Sequence, residues 1–118
     1  MKTKHLQTDN PIHLGSKTML SPRQILMLKA DVNYTEIFLV DGTKILSSTT
    51  MGIIEKRLEG YNFFRINRST VVNTHYVTRT KHKKEDGVVI SFSLNGFPKI
   101  LKISRRRKES FYKLINAN

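Results

Sequence analysis

The stretch FFRINRSTVVN, residues 63 to 73, places two short apolar segments on either side of a polar, basic corner. Its larger apolar residues have the size and β-propensity to fill the core of a sheet: Phe64, Ile66, Val71 and Val72. Its corner, NRST, consists of hydrogen-bonding side chains that have no apolar reason to lie together. The stretch therefore predicts two strands joined by a turn that presents Arg68 from a rigid base.

Further strands are predicted on both sides of this stretch. Residues 25–30 form a nearly continuous apolar run, which is typical of a strand buried on both faces. Asp41-Gly42 and Asn95-Gly96 are two-residue hairpin signals, and each lies between two strand-like runs. The other predicted strands are residues 34–40, 43–47, 76–80, 88–94 and 97–103.

Two helices interrupt this β pattern. The first has apolar residues at helical spacing between a threonine cap at 49 or 50 and a C-terminal stop at Gly60, namely Met51, Ile54 and Leu58. The second is C-terminal, with Phe111, Leu114 and Ile115 on one face. The predicted fold class is mainly β, with one short helix and a C-terminal helix.

One domain accounts for the 118 residues, because a chain of this length can bury a core without staples. We expect residues 1–20 to be a partly flexible N-terminal extension and residues 21–118 to be the domain. Residues 81–87, KHKKEDG, predict a charged loop. No signal peptide or membrane-spanning stretch is visible, and the absence of cysteine suits a reducing compartment. We therefore expect a cytoplasmic protein with no membrane partner.

The positive charge is concentrated in the second half of the chain. The net charge is +12, and residues 61–118 carry 13 Lys and Arg against 3 Asp and Glu, whereas residues 1–60 carry 8 against 6. Such a field attracts polyanions, and nucleic acid is the partner that it favours. No acidic residue lies between Tyr61 and Lys84, and none lies between Asp86 and Glu109. The alternative is a generally basic, solubilising surface, which would have scattered charge instead of two such blocks.

Catalytic and metal chemistry find no support in the sequence. The four histidines lack the i, i+4 pairing and the carboxylate company of a zinc site. No serine has a nucleophile-elbow setting, and no glycine cluster resembles a phosphate-cradling loop. The chain is therefore predicted to be neither an enzyme nor the carrier of a cofactor.

Several cations are candidates for contacts with nucleic acid. Arg68 can pair bidentately with guanine in the major groove. Arg65 lies on the face of its strand opposite to Phe64 and Ile66, and it fits a structural or phosphate contact. The run 105–108, RRRK, lies where a helix would begin, although the N-terminal end of a helix prefers negative charge. A bound phosphate would compensate for these cations. The alternative is a solvated linker or a localisation-type signal. For the lysines of 81–87, phosphate binding and a solvated loop tip remain equal alternatives.

These residues resemble the LytTR-type DNA-binding domain of bacterial transcription regulators. The resemblance extends from about residue 20 to 115. It is carried by ILMLKADVNY (25–34), the Asp41-Gly42 hairpin, FFRINRS with VVN (63–73), and ISR (103–105). The chain departs from the family pattern at Asn67, where histidine is usual.

The resemblance implies stacked antiparallel sheets and a loop-based reading of successive major grooves on bent duplex DNA. The base-reading positions that it implies, together with our own candidates, are Asn33, Tyr34, Thr35, Asn67, Arg68 and Arg105. The expected phosphate-binding residues are Ser69, Lys81, Lys83, Lys84, Arg106, Arg107 and Lys108. Family members commonly bind direct repeats as two copies, so we expect a monomer or weak dimer in solution and two copies on DNA. Because about twenty residues precede the resemblance, we expect no sensor domain within this chain.

The function predicted from the sequence is therefore a sequence-specific transcription regulator of the response-regulator output type that binds duplex DNA. Two alternatives remain. An RNA-binding β domain would use the same basic face, with Tyr34 or Tyr76 stacking on bases. A protein-interaction module would dock an acidic partner on residues 61–108.

Overall fold

The computed structural model describes residues 11–15, 18–83, 87–92 and 99–116. Within these ranges the chain forms ten strands and two α-helices. The strands are β1 (Ile12–His13), β2 (Met19–Leu20), β3 (Ile25–Ala30), β4 (Thr35–Leu39), β5 (Lys44–Ser47), β6 (Phe63–Asn67), β7 (Thr70–Asn73), β8 (Val77–Lys83), β9 (Gly87–Phe92) and β10 (Lys99–Ile103). The helices are α1 (Met51–Arg57) and α2 (Lys108–Asn116), and short 3₁₀ turns occupy Pro22–Gln24, Thr74–Tyr76 and Arg105–Arg107.

A five-stranded antiparallel sheet forms the centre of the fold, in the order β5-β4-β3-β7-β6. The middle strand is β3, whose first four residues are all buried. This confirms the strand buried on both faces that the apolar run predicts, because a sheet covered on both sides has no polar face. A hairpin at Asp41-Gly42 joins β4 to β5, where the sequence predicts one, but residues 40–43 separate the two strands instead of two residues.

Two apolar clusters lie on opposite faces of this sheet. The first cluster includes Leu28, Ile37 and Val71 from the sheet, together with Leu14 and the α1 residues Met51 and Ile54. Leu14 is fully buried, so the described part of the N-terminal extension packs on the domain. The second cluster is formed by Leu26, Met27, Ile66, Val72, Ile103 and Phe111. The sheet is thus covered by α1 and the β1-β2 hairpin on one face, and by β10 and α2 on the other.

A three-stranded antiparallel sheet, β10-β9-β8, stacks on the second face. Here one prediction is wrong, because β8 continues through Lys83 instead of ending at residue 80. The charged residues 81–83 pair with β9 in the register Lys81↔Val89, His82↔Val88 and Lys83↔Gly87. The ladder with an apolar partner strand outweighs the local loop-like composition. Residues 84–86 and the predicted Asn95-Gly96 turn lie outside the described residues.

The helices agree with their sequence patterns. Helix α1 begins directly after Thr50 and ends at Arg57, with Leu58 as its C-cap. Gly60, the predicted stop, lies three residues beyond Arg57 and has a left-handed φ of +91°. Helix α2 packs through Phe111, which is fully buried and meets the Phe64 ring edge-on at 5.4 Å between centroids. Among the described residues, no helix has the length and apolar character needed to cross a membrane.

Candidate nucleic-acid interface

Two turns predicted to contact DNA lie side by side at one end of the five-stranded sheet. The turn between β3 and β4 spans residues 31–34, and the turn between β6 and β7 consists of Arg68 and Ser69. Strands β3 and β7 are neighbours in the sheet, and the Ala30 N–H donates to the Ser69 carbonyl oxygen at 2.8 Å. Each turn lies midway between the two strands that it joins, so the centres of the two turns are two strand spacings apart. Adjacent strands are about 4.8 Å apart, which gives a separation of about 10 Å.

A third predicted segment reaches the same end from the other sheet. The Ser104 N–H donates to the carbonyl oxygen of Ile66 in β6, at 2.8 Å. This bond places the Arg105–Arg107 turn next to the Arg68–Ser69 turn. We call the surface formed by residues 31–34, 68–69 and 104–107 the basic end of the sheet. Three segments that are distant in sequence therefore converge on one surface.

The turn that carries Arg68 is held by its own neighbours. Asn67 Oδ1 accepts hydrogen bonds from the Ser69 N–H at 2.9 Å and from the Ser69 hydroxyl at 3.3 Å. An irregularity in the β6-β7 pairing lies between Arg65 and Asn67, and a bulge of this kind redirects the side chains that follow it. Arg68 is exposed, and its guanidinium has no hydrogen-bond or ion-pair partner among the residues that the structure describes.

The turn between β3 and β4 is equally well held. The Asp31 N–H donates to the Tyr34 carbonyl oxygen at 2.8 Å, which leaves Val32 and Asn33 at the apex. The Asp31 carboxylate accepts a hydrogen bond from the Val32 N–H at 2.8 Å and so holds the backbone at the apex. Asn33 is exposed, and Tyr34 has 52% of its surface exposed. Both predicted residues are therefore accessible to a ligand.

Thr35 does not share this accessibility, and its assignment as a base-reading residue is corrected. Its side chain is fully buried, and its hydroxyl donates to the Thr49 carbonyl oxygen at 2.7 Å. Thr35 is the first residue of β4 and faces the first apolar cluster, as Ile37 and Leu39 do. A residue in register with a buried face cannot turn outward without losing that hydrogen bond. Thr35 therefore positions the turn from inside the fold.

The basic run 105–108 is divided between two elements. Residues 105–107 form the 3₁₀ turn, so α2 begins at Lys108 and not at Arg105. Glu109 then lies in the first helical turn, where negative charge is favourable. Arg105 and Arg106 are exposed, while Arg107 and Lys108 are half-buried, and Arg107 Nη1 lies 3.5 Å from the Ser104 hydroxyl.

The predicted lysines of β8 can be placed only by their backbone. Ile103 pairs with Val88, and Val88 pairs with His82. The backbone at Lys81 and Lys83 is therefore two strands away from the segment that leads into Arg105. Lys84 lies outside the described residues. The register thus brings this end of β8 towards the basic end of the central sheet.

Arg65 is separate from this surface. Its Nε lies 3.4 Å from Glu55 Oε1 of α1, on the face of the sheet that carries the first cluster. The expectation of a structural or phosphate contact therefore resolves to an ion pair between helix and sheet. Tyr76 is also occupied within the fold, because its hydroxyl donates to the Arg23 carbonyl oxygen at 2.6 Å.

Lys29 is an accessible cation that sequence reasoning did not single out. It is exposed in β3, where it pairs in register with Thr70 on one side and Glu36 on the other. Glu36 is bound by Lys44 at 3.1 Å, so a second cation already balances its charge. The signal available in the sequence was a single lysine at the end of an otherwise apolar run, which marks the point where the strand emerges from the core.

Comparisons with known proteins agree with this architecture. The family model described as the LytTr DNA-binding domain matches residues 15–116. A solved LytTr DNA-binding domain of a response regulator from Bacillus cereus superposes with a TM-score of 0.73, at 16% sequence identity, covering 92% of this chain and 98% of that one. No curated protein sequence gives a significant match. Because the family model spans most of the chain, this protein belongs to the family of LytTr DNA-binding domains.

Proposed function

We propose that this DNA-binding domain acts as a sequence-specific transcription regulator that reads the major groove with the turns of its basic end. The observation that supports the proposal most directly is the convergence of the three segments, held together by the Ala30–Ser69 and Ser104–Ile66 backbone hydrogen bonds. Rigid turns suit sequence reading, because little conformational freedom is lost when they bind.

Arg68 is the central base-reading residue in this proposal. Its planar guanidinium can donate to both O6 and N7 of a guanine, the commonest specific contact in the major groove. The Asn67–Ser69 hydrogen bonds hold the turn, so the Arg68 backbone is already positioned before DNA arrives. Asn67 Oδ1 is used in this way, which leaves its amide NH₂ as the donor for a base.

Asn33 and Arg105 flank Arg68 in the row of turns, with Tyr34 beside Asn33. Both Asn33 and Arg105 carry groups that read bases, since asparagine pairs with adenine and arginine with guanine. We assign phosphate contacts to Ser69, Lys81, Lys83, Lys84, Arg106, Arg107 and Lys108. Such contacts fix the register of the protein on the duplex without specifying its sequence. We also propose that two copies of the domain bind to direct repeats in the DNA.

The test is a selection from random duplex DNA by the purified domain, performed at two salt concentrations and repeated with Arg68→Ala. We expect a short motif, present as two direct repeats and retained at the higher salt, in which Arg68→Ala loses the preference for one G·C pair. If no motif emerges and binding vanishes at the higher salt, the interaction is with phosphates alone. Sequence-specific reading would then be rejected, and single-stranded RNA and acidic proteins would be tested as ligands.

A further inference from the structure

The apex of the β3-β4 turn carries an apolar side chain that the fold does not use. Val32 has 91% of its surface exposed, the highest value among the large apolar residues that the structure describes. Turn apices are normally occupied by Gly, Asn, Asp or Ser, which satisfy local backbone groups or tolerate unusual dihedral angles. The described fold leaves this side chain in solvent, so it is accessible to a partner.

The backbone that carries the Val32 side chain is held by hydrogen bonds. The Val32 N–H is bound by the Asp31 carboxylate at 2.8 Å, and the Asp31–Tyr34 hydrogen bond closes the turn beneath it. Because valine is branched at Cβ, few χ1 rotamers are open to it. The exposed side chain therefore has little conformational freedom to lose when it meets a surface.

The major groove offers one apolar feature to such a side chain, the C5-methyl group of thymine. A valine is too short to wedge between stacked bases, a role taken by longer side chains in the minor groove. The Val32 and Arg68 turns are about 10 Å apart, which corresponds to no more than about three base steps of 3.4 Å. The distance therefore lets both side chains reach one stretch of groove.

We propose that Val32 is a specificity-determining residue that contacts a thymine methyl within about three base pairs of the guanine read by Arg68. This inference rests on the proposed function, since it requires the basic end to enter the major groove. Val32 adds an apolar contact with a base to a surface on which the other candidate residues donate hydrogen bonds or carry charge. Asn33 at the same apex supplies the neighbouring polar contact.

The experiment compares selections from two random duplex libraries, one containing thymine and one containing uracil, which differs only by the missing methyl group. Wild type, Val32→Ala, the isosteric Val32→Thr and the control Ile53→Ala are used in parallel. Ile53 is also exposed and apolar, at 47%, but it lies on α1. The dissociation constants are then measured on the best site, with each thymine replaced singly by uracil.

We expect one thymine at which uracil weakens wild-type binding about fourfold, the effect of removing one methyl group from an apolar contact. Val32→Ala should weaken binding to the thymine site by a similar factor and show no further loss on uracil. Val32→Thr keeps one γ-methyl group that can meet the thymine methyl, so it should lose less binding than Val32→Ala. Ile53→Ala should behave as wild type.

Independent, additive effects of the uracil and Val32→Ala substitutions would overturn the proposal, as would a motif without a methyl-sensitive thymine. In either case an enriched motif would leave the proposed function intact. Failure to enrich any motif would reject both. Because Val32 is exposed, its variants should retain the unfolding midpoint of the wild type, which shows that any loss of binding is not a loss of folding.

Discussion

The two ends of the five-stranded sheet both carry polar turns, but they use them differently. At the far end, which includes Asp41, Gly42 and Asn73, polar side chains bind the chain's own backbone. Asp41 accepts from the Thr43 N–H at 2.9 Å and from its hydroxyl at 2.6 Å. The buried Asn73 side chain donates to the Ile25 carbonyl oxygen at 2.9 Å and accepts from the His75 N–H at 3.0 Å.

At the basic end, a few side chains hold each turn while their neighbours face outward. Asp31 and Asn67 bind backbone groups, and Val32, Asn33 and Arg68 remain exposed. Under the proposed function, the far end contributes to stability and the basic end contacts DNA. The following variants test this division, from the largest expected effect to the smallest.

Asn73→Ala should affect folding and not recognition. It removes the partners of the Ile25 carbonyl and the His75 N–H in a buried site, which should lower the free energy of unfolding by about 2–3 kcal/mol. The measurement is urea unfolding, followed by DNA titration at a temperature where the variant is folded. A weaker affinity for DNA with unchanged stability would contradict the division between the two ends.

Arg68→Ala should affect recognition of DNA and not folding. Its exposed guanidinium makes no hydrogen bond or ion pair with the described residues, so the free energy of unfolding should stay within about 0.5 kcal/mol of wild type. Binding to the preferred site should weaken by about 1–3 kcal/mol, with loss of discrimination at one base pair. Arg68→Lys is the matched control: it keeps the charge, but its ammonium lacks the planar fork and should not restore discrimination. Full rescue by lysine would reduce Arg68 to a phosphate contact.

Asn67→Ala should affect both properties, because Asn67 holds the turn that carries Arg68. Loss of the bonds to the Ser69 N–H and hydroxyl should cost about 1 kcal/mol of stability. The affinity for the preferred site should also fall, since Arg68 must then be ordered on binding. Thermal unfolding and DNA titration of the same variant separate the two effects. A change in stability alone would show that the turn keeps its conformation without this amide.

Lys29→Ala should weaken all duplexes alike. Its position beside both turns suits a phosphate contact, so its loss should reduce the slope of log K against log salt by about one. Lys56→Ala is the matched control, because Lys56 is also exposed but lies on α1. Equal salt slopes for the two variants would exclude Lys29 from the interface.

Asp41→Asn should have the smallest effect, visible only as a change in pH dependence. The Thr43 hydroxyl and then the Thr43 N–H hold the pKa of the Asp41 carboxyl below its usual value. A lowered pKa in the folded state stabilises the fold above the unfolded-state pKa, and this contribution is lost as pH falls through the folded-state value. Unfolding at pH 7 and near pH 3 should show a slightly flatter profile for Asp41→Asn. DNA binding at pH 7 should be unchanged.

Local patterns in the sequence were sufficient for the elements and for part of the site. The Asp41-Gly42 signal, the apolar run of β3 and the spacing of Met51, Ile54 and Leu58 each depend on neighbouring residues. The hairpin, the buried strand and the helix that they predict are all present at those places. The extension of β8 to Lys83 could not be seen in this way, because its charged residues are paired by a strand that follows them.

The exposure of the candidate residues could not be derived from the sequence either. Thr35 and Tyr34 are adjacent and both polar, yet Thr35 is fully buried and Tyr34 is half exposed. The face of β4 that meets the first cluster decides between them, and this face depends on the register with β3 and β5. Val32 was overlooked for a related reason, because its exposure follows from the Asp31–Tyr34 bond that places it at the apex.

By itself, the sequence determined the mainly β character, the order of the hairpins and helices, and the concentration of positive charge that attracts DNA. Tertiary structure alone decided that Ala30 meets Ser69 and that Ser104 meets Ile66, which brings three distant turns to one surface. The physical reason is the range of the interactions. Turn and helix signals act within a few residues, whereas the β3-β7 pairing and the packing of β10 depend on apolar surfaces that become complementary only when the chain is folded.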